Sequence, residues 1–262
     1  MQNLPFKGWH KSWAVLPSLF HYPAPPPYIA CMTDYKLEAA KAAVGNIKPG
    51  QTVGLGAGAT IAYLVDMLAA DSALAGSLTF ASSSFKTAGL LAGRGLNFKS
   101  PAYLNHLEVY FDGCDQFDAQ LNALKSGGGI HATEKILASM ADEFILLGDT
   151  SKFSDKLTTK YPLVIEVLPA ALQIVLKTLK DEFSPTSLNL RMSSQKDGAL
   201  ISDNGNLLVD IYFNELPPLS ELNTRVKMIP GIVEHSLFYR MASKALIAGP
   251  DGISVIIPRH AE

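Results

Sequence analysis

Between Asp112 and Glu134 the chain gathers side chains that could move a proton. DGCD sets two carboxylates, Asp112 and Asp115, on either side of Gly113 and Cys114. KSGGG follows with Lys125 and then Gly127, Gly128 and Gly129, and IHATEK adds a lone acid, Glu134. A carboxylate can take a proton from carbon, and a lysine can offset the charge that develops. Glycines let backbone N–H groups come close to an oxyanion. Glu134 falls early in an expected helix, IHATEKILASMADEF, where Ile130, Leu137, Ala138 and Ala141 flank its face. Desolvation there would raise its proton affinity and suit it as a general base. Taken alone, each feature has a plainer explanation. An acid in a first helical turn is what the helix dipole favours. DGCD is also an ordinary turn, because Gln116 and Asp118 do not complete a calcium loop. His131 reads as a surface or packing residue, and Cys114 as one that packs inward without a redox role.

These residues need elements to bring them together. Lys36 opens a helical pattern, KLEAAKAAVGNI, that stops at Lys48-Pro49-Gly50. A short strand, TVGLG, runs straight into Gly56, Ala57, Gly58, Ala59 and Thr60, and IAYLVDMLAA is helical again. Strand, glycine loop and helix form the arrangement that turns backbone N–H groups toward an anion. GAGAT is neither the dinucleotide fingerprint nor a Walker A loop, so by itself it is a tight turn or a phosphate cradle. The rhythm repeats. LTFA ends in Ser82, Ser83 and Ser84; LEVYF ends in Asp112; EFILLG ends in Asp149, Thr150, Ser151 and Lys152. Alternating strands and helices predict an α/β fold, a Rossmann-like parallel sheet whose polar strand ends share one edge, where ligands bind.

The rhythm then changes. LVIEVLP, AALQIVLKTLK, LNLRMS, LLVDIYF, ELNTRVKMI and GIVEHSLF read β-α-β-β-α-β, the order of a small ferredoxin-like α+β unit. ALIAGPDGISVI reads as a hairpin returning to the first unit. The expected division is 32–160 and 241–262 for the Rossmann-like part and 161–240 for the ferredoxin-like part.

Composition excludes several classes. With 262 residues, 48% hydrophobic and 18% charged, the chain can bury a sizeable core. A net charge of -2 with signs interspersed leaves no basic stripe for nucleic acid. The two cysteines, Cys31 and Cys114, lie in no metal-binding spacing, and no apolar run is long enough to span a membrane. Residues 1–31 carry both tryptophans and six of the sixteen prolines but no acid. Lys7 and Lys11 precede an apolar stretch as in a signal peptide, yet Pro17, Pro23 and Pro25 to Pro27 interrupt it. The segment reads as a disordered extension or the product of an upstream start codon.

From Met32 onward the chain resembles the A-type ribose-5-phosphate isomerases. The matches come in order: Lys36, PGQTVGLGAGAT, the SSS loop, DGCDQ, KSGGG with TEK, DTSK, YPLVIEVLP, SDNGNLLVD, PGIVEHSLF and GPDG. The resemblance implies a Rossmann-like domain with a ferredoxin-like insert and an aldose–ketose isomerisation of ribose 5-phosphate and ribulose 5-phosphate, in the non-oxidative pentose phosphate pathway. It implies Glu134 as general base, Asp112 as an acid that assists ring opening or handles the hydroxyl protons, and Asp115 and Lys125 as residues that hold the sugar hydroxyls and offset charge on the enediolate. It places Lys36, the Gly56 to Thr60 loop and Lys152 at the phosphate, Ser83 and Ser84 near the sugar, and Gly127 and Gly128 among the substrate-binding residues. It further implies no metal, no organic cofactor, a homodimer or homotetramer, and a cytoplasmic enzyme whose partner is a small sugar phosphate, with no nucleic acid or membrane involved.

The chain departs from the family's usual pattern at several positions. Ala57 and Ala59 stand where hydroxyl side chains are usual, Gln116 where Glu is, Ser126 where the first glycine of K-G-G-G is, and Thr133 where the arginine of R-E-K is. These changes keep two alternatives in play: an isomerase of a different sugar phosphate, and a sugar-phosphate sensor without catalysis on the same scaffold.

Overall fold

The structure, a computed structural model, describes residues 33–258. The expectation for residues 1–31 lies outside them. Helix α1 (Tyr35–Val44) leads into strand β1 (Thr52–Leu55), then α2 (Ala59–Ala70), α3 (Ser72–Ser77), β2 (Thr79–Ser82), α4 (Phe85–Gly93) and β3 (Leu107–Asp112). A two-residue pair, β4 (Gln116–Phe117) and β5 (Ala123–Leu124), precedes α5 (His131–Met140) and β6 (Ala141–Asp149). Then come β7 (Leu163–Val167), α6 (Leu172–Phe183), β8 (Ser187–Leu190) and β9 (Leu207–Tyr212). A single turn, α7 (Leu219–Glu221), is followed by β10 (Ile232–His235), β11 (Leu237–Phe238), β12 (Lys244–Gly249) and β13 (Gly252–Ile256).

The main sheet has the order β13-β12-β6-β3-β1-β2, parallel throughout except for the β12–β13 hairpin. Its central parallel strands are largely buried on both faces, as parallel strands with helices above and below must be, and only the edge strand β13 is exposed. Val109, Phe111, Ile145 and Leu147 face a core shared with Leu64, Val65 and Leu68 of α2. Tyr110, Phe144 and Leu146 face the other side, where Leu137 and Ala138 of α5 and Phe117 cover them. The chain runs from β1 outward to β2, then back across to β3. The strand order therefore reverses between β1 and β3, and a crevice opens at such a switch point.

Strands β10-β7-β9-β8 form a separate antiparallel sheet, the arrangement expected of the β-α-β-β-α-β order. Three details differ from the sequence reading. The helix starting at His131 ends at Met140, and Ala141 already begins β6. Asp142 and Glu143 are exposed at that strand's mouth, so their polarity mimics a helix end. ELNTRVKMI is no continuous α-helix: after one turn it widens into a π-type turn over Leu222–Val226. GIVEHSLF is two strands. At Ser236 the chain leaves the antiparallel sheet, and β11 joins β5 and β4 in a third, three-stranded sheet.

Ser236 is fully buried and works as a junction. Its N–H donates to the Val164 carbonyl at 2.8 Å, and its Oγ accepts from Val164 N–H at 2.9 Å. Its own carbonyl accepts the Lys125 N–H at 3.0 Å, so the antiparallel sheet fixes the backbone of a candidate site residue.

Candidate active site

The ends of β1, β3 and β6 lie side by side and open into a cavity of about 370 Å³. One end of it is carboxylate-rich. Asp112, the last residue of β3, is 1% exposed, and four donors converge on it. Tyr110 Oη and Lys125 Nζ donate to Oδ2 at 2.5 and 2.8 Å; the N–H groups of Gly113 and Ala57 donate to Oδ1 at 2.8 and 3.2 Å. The close approach of β1 needs glycine: a Cβ at Gly56 would lie 1.9 Å from the Asp112 Cγ. Gly56 thus makes room for the carboxylate and does not itself line the cavity.

Lys125 is buried beside Asp112. Its Nζ donates to the Gly113 carbonyl at 2.5 Å and stands 2.8 Å from Asp112 Oδ2 and 3.2 Å from Glu134 Oε1. Burial pulls its proton affinity down, but the charges of Asp112 and Glu134 outweigh that and hold it above the ordinary lysine value. Glu134 lies on the buried face of α5 and is 5% exposed. Its pKa is pushed up to about 8, first by burial and then by the Asp112 charge, with Lys125 pulling the other way. Two acids and one cation share a dry space, so one acid is driven to hold a proton that water would have removed. Tyr110 is raised well above its ordinary value by burial and by the same two acids, which keeps it a donor.

Asp115 turns from this cluster toward the glycine run. Its Oδ2 accepts from the N–H groups of Ser126 at 2.7 Å and Gly127 at 3.0 Å. Asp118, the third aspartate of the stretch, faces away: it accepts from Gln120 N–H, Asn122 N–H and Asn122 Nδ2 and shapes the β4–β5 turn.

The opposite end of the cavity suits an anion. Gly58 caps α2 with φ +96°, a conformation that favours glycine, and no side chain caps the helix. The first-turn N–H groups of α2 are therefore open to a ligand, and the dipole favours negative charge there. Ala57, Gly58, Ala59 and Thr60 line this end with Lys36 and Lys152. Lys36 is set at the rim because Asp34 caps α1 through Lys36 N–H at 3.0 Å and also accepts from Tyr63 Oη at 2.8 Å. Lys152 sits in a 3-10 turn just past β6.

Several expected positions are placed elsewhere. Ser83 and Ser84 line a neighbouring hollow with Phe85, Thr133, Ile136 and Asn204, not this cavity. Ser84 Oγ caps α4, accepting from Thr87 N–H at 3.2 Å, and Ser83 Oγ lies 3.4 Å from Tyr110 Oη. Gln116 faces Thr158, donating to its Oγ1 at 3.0 Å and accepting from its N–H at 2.8 Å. Ser126 Oγ donates to the Pro162 carbonyl at 2.6 Å. His131 is fully buried, the packing side of what was expected for it, and its Nε2 lies 3.3 Å from the Glu234 carbonyl. Cys114 lines the cavity and burial pushes its thiol up to about 12, so it stays protonated. Tyr110 was not foreseen. Tyr110 could have been found from the alternation of β3, which aims residues 110 and 112 to one side.

Among the described residues no cluster of His, Cys, Asp and Glu is arranged for a metal, and no helix is long and apolar enough to cross a membrane.

The sequence profile of ribose 5-phosphate isomerase A (phosphoriboisomerase A) matches residues 79–252. The chain belongs to the ribose 5-phosphate isomerase A family. The family member from Agrobacterium fabrum is 36% identical over 220 residues, covering 83% of this chain and 94% of that protein. The one from Thermosynechococcus vestitus is 34% identical over 215 residues, covering 81% and 90%. The solved ribose 5-phosphate isomerase A of Methanocaldococcus jannaschii superposes with a TM-score of 0.79 at 31% identity, over 86% of this chain and 98% of that one. A D-ribose-5-phosphate isomerase solved in complex with phospho-erythronic acid superposes with a TM-score of 0.79 at 29% identity, over the same shares of the two chains.

Proposed function

We propose that the protein interconverts D-ribose 5-phosphate and D-ribulose 5-phosphate through an enediolate, with Glu134 as the base. The observation that carries this is the placement of Glu134. Its carboxylate is buried, its proton affinity is raised to about 8, and it lies 3.2 Å from Lys125 in a cavity whose far end is an uncapped helix N-terminus.

The geometry supports the following sequence. The phosphate binds the first turn of α2 with Lys36, Thr60 and Lys152, remote from the reacting carbons, and fixes the sugar's position. Asp112 assists opening of the ring. Ionised Glu134 removes the proton on C2 of the open aldose; the electron pair forms the C1–C2 double bond and the carbonyl electrons move to O1. Lys125 and the glycine-loop N–H groups meet that negative charge. Protonated Glu134 returns its proton to C1, the hydroxyl proton passes from O2 to O1 as the C2=O bond forms, and the ketose results. Asp115 keeps Oδ1 available for a sugar hydroxyl while Oδ2 holds the loop.

The departures from the family's pattern bear on this unequally. Gln116 and Ser126 turn away from the cavity, so they give no reason to change the sugar. Ala57 and Ala59 do line it, at the anion end, where they affect affinity rather than the carbon chemistry. A sensor would gain nothing from a base buried at a cost to its ionisation. Glu134→Gln should lower kcat by roughly 10²–10⁴-fold while binding of ribose 5-phosphate persists. A turnover assay on a panel of aldose and ketose phosphates, beside that variant, tests the reading. Undiminished kcat in the variant would remove Glu134 as the base, and tight binding with no turnover by the wild type would favour the sensor.

A further inference from the structure

Glycine lets a backbone N–H approach an oxyanion, but a flexible donor stabilises a transition state poorly unless something holds it. The Ser126–Gly129 run is held from two sides. On one side Asp115 Oδ2 takes the N–H groups of Ser126 and Gly127. On the other side the guanidinium of Arg191 donates through Nη2 to the Ser126 carbonyl and through Nη1 to the Gly127 carbonyl at 3.2 Å. Arg191 Nε donates to Asp210 Oδ1 at 2.7 Å, which fixes the fork. The arginine follows β8 and its backbone is tied to Leu208 and Leu200 at 2.9 and 2.8 Å. It lies behind the loop and does not line the cavity, whereas Gly127 and Gly128 do.

We propose that Arg191, oriented by Asp210, is a positioning residue for the isomerisation and presets the Gly127–Gly128 peptide to meet the enediolate. A trans peptide points its C=O and N–H in opposite directions. Holding the Gly127 carbonyl on Arg191 turns the Gly128 N–H away from the arginine, toward the cavity that Gly128 lines. The guanidinium also polarises that peptide and strengthens its N–H as a donor. A planar fork can hold two successive carbonyls at once; a lysine ammonium is a point charge and does not reproduce it. The register is locked next door, since Gly129 has φ +69° and a Cβ there would lie 2.6 Å from Leu208.

This inference rests on the reaction proposed above. Its test uses Arg191→Met, Arg191→Lys and Asp210→Asn, with kcat and KM for ribose 5-phosphate. Calorimetry adds the dissociation constants of phospho-erythronic acid, whose carboxylate carries charge near the enediolate position, and of ribitol 5-phosphate, which has none there. Arg191→Met should lower kcat by about 10–100-fold with KM within about 3-fold. It should weaken phospho-erythronic acid by a similar factor and ribitol 5-phosphate by no more than about 3-fold. Arg191→Lys should resemble Arg191→Met, and Asp210→Asn should show a smaller loss in the same sense. Equal weakening of both ligands, a rise in KM at unchanged kcat, or full kcat in Arg191→Lys would each overturn the proposal. Should Arg191→Met fail to fold, Asp210→Asn decides: an unchanged kcat there overturns it. Wild type that does not turn over ribose 5-phosphate would sink the reaction reading instead. The ratio of the two ligand affinities would then still judge the clamp, and a ratio preserved in Arg191→Met would overturn it.

Discussion

Asp112, Asp115 and Asp118 look alike in the sequence, yet each does something different. Asp112 collects four donors, Lys125 among them, Asp115 holds the glycine loop, and Asp118 shapes a turn. Spacing marked the first two as chemical because DGCD ends a strand. It left the third outside any recognised loop, and the donors of Asp118 indeed come from its own turn. Arg191 stayed hidden because its partners at the site are two backbone carbonyls, which leave no trace in side-chain identity. Glu134 allows a test with a definite sign. Its pKa rises from 4.5 to about 8 on folding. The folded state therefore keeps the proton longer than the unfolded state does. The stability this contributes is complete below the unfolded value and is lost as pH rises through the folded one. Glutamine cannot ionise and escapes that loss. The melting temperature of Glu134→Gln relative to wild type should therefore climb from about pH 5 to about pH 9. In wild type, the acid limb of kcat/KM should fall well above the ordinary glutamate range, toward pH 8. An acid limb near 4.5 would contradict the buried placement.

At the scale of elements, the parallel strands and the loops that follow them were legible because four apolar runs each end in a polar cluster. Element ends were less so. Ala141 could close a helix or open a strand, and only pairing with β3 decides it. The switch between β1 and β3 explains why the anion end sits at α2 and no other helix. Ala59, the first residue of α2, lines that end and carries no hydroxyl. Adding one by Ala59→Ser gives the phosphate another donor. A hydrogen bond to a charged group is worth about 1 kcal/mol or more net, so KM for ribose 5-phosphate should fall by about 3–10-fold. The value of kcat should not move, because the phosphate is bound alike in the ground and transition states. Inorganic phosphate should inhibit Ala59→Ser more strongly than wild type. A changed kcat at constant KM would mean that α2 acts on the chemistry rather than on binding.

For the whole molecule, the order β-α-β-β-α-β was readable, but the seam between the two large sheets was not. Its contacts join residues about a hundred positions apart, and they are of types that also occur on surfaces. Helix α5 carries Glu134 between His131 and Lys135, and both neighbours reach β10. His131 Nε2 meets the Glu234 carbonyl, so that nitrogen carries the hydrogen and Nδ1 is left without a partner. Lys135 Nζ donates to Glu234 Oε1 at 2.9 Å and to the His235 carbonyl at 2.7 Å. Lys227 reaches Glu234 Oε2 at 3.0 Å. Burial first, and the Lys135 charge with it, push both His131 and His235 down to about 4, with the Glu234 carbonyl and then the Glu166 charge opposing at His131 and the Glu234 charge opposing at His235. Both rings are therefore neutral in the fold at a pH where the unfolded chain would charge them. As pH falls from 6.5 toward 4, the unfolded state binds more protons and stability drops. Glu134 titrates in the opposite sense over part of that window, so Glu134→Gln is the background in which to look. Its denaturation midpoint should fall steadily from about pH 6.5 to about pH 4.5, and adding His131→Gln should remove roughly half of the slope. The glutamine amide can still donate to the Glu234 carbonyl, which keeps α5 on β10 while deleting the titration. An unchanged slope in the double variant would exclude His131 as a source of the acid sensitivity and leave His235 to account for it.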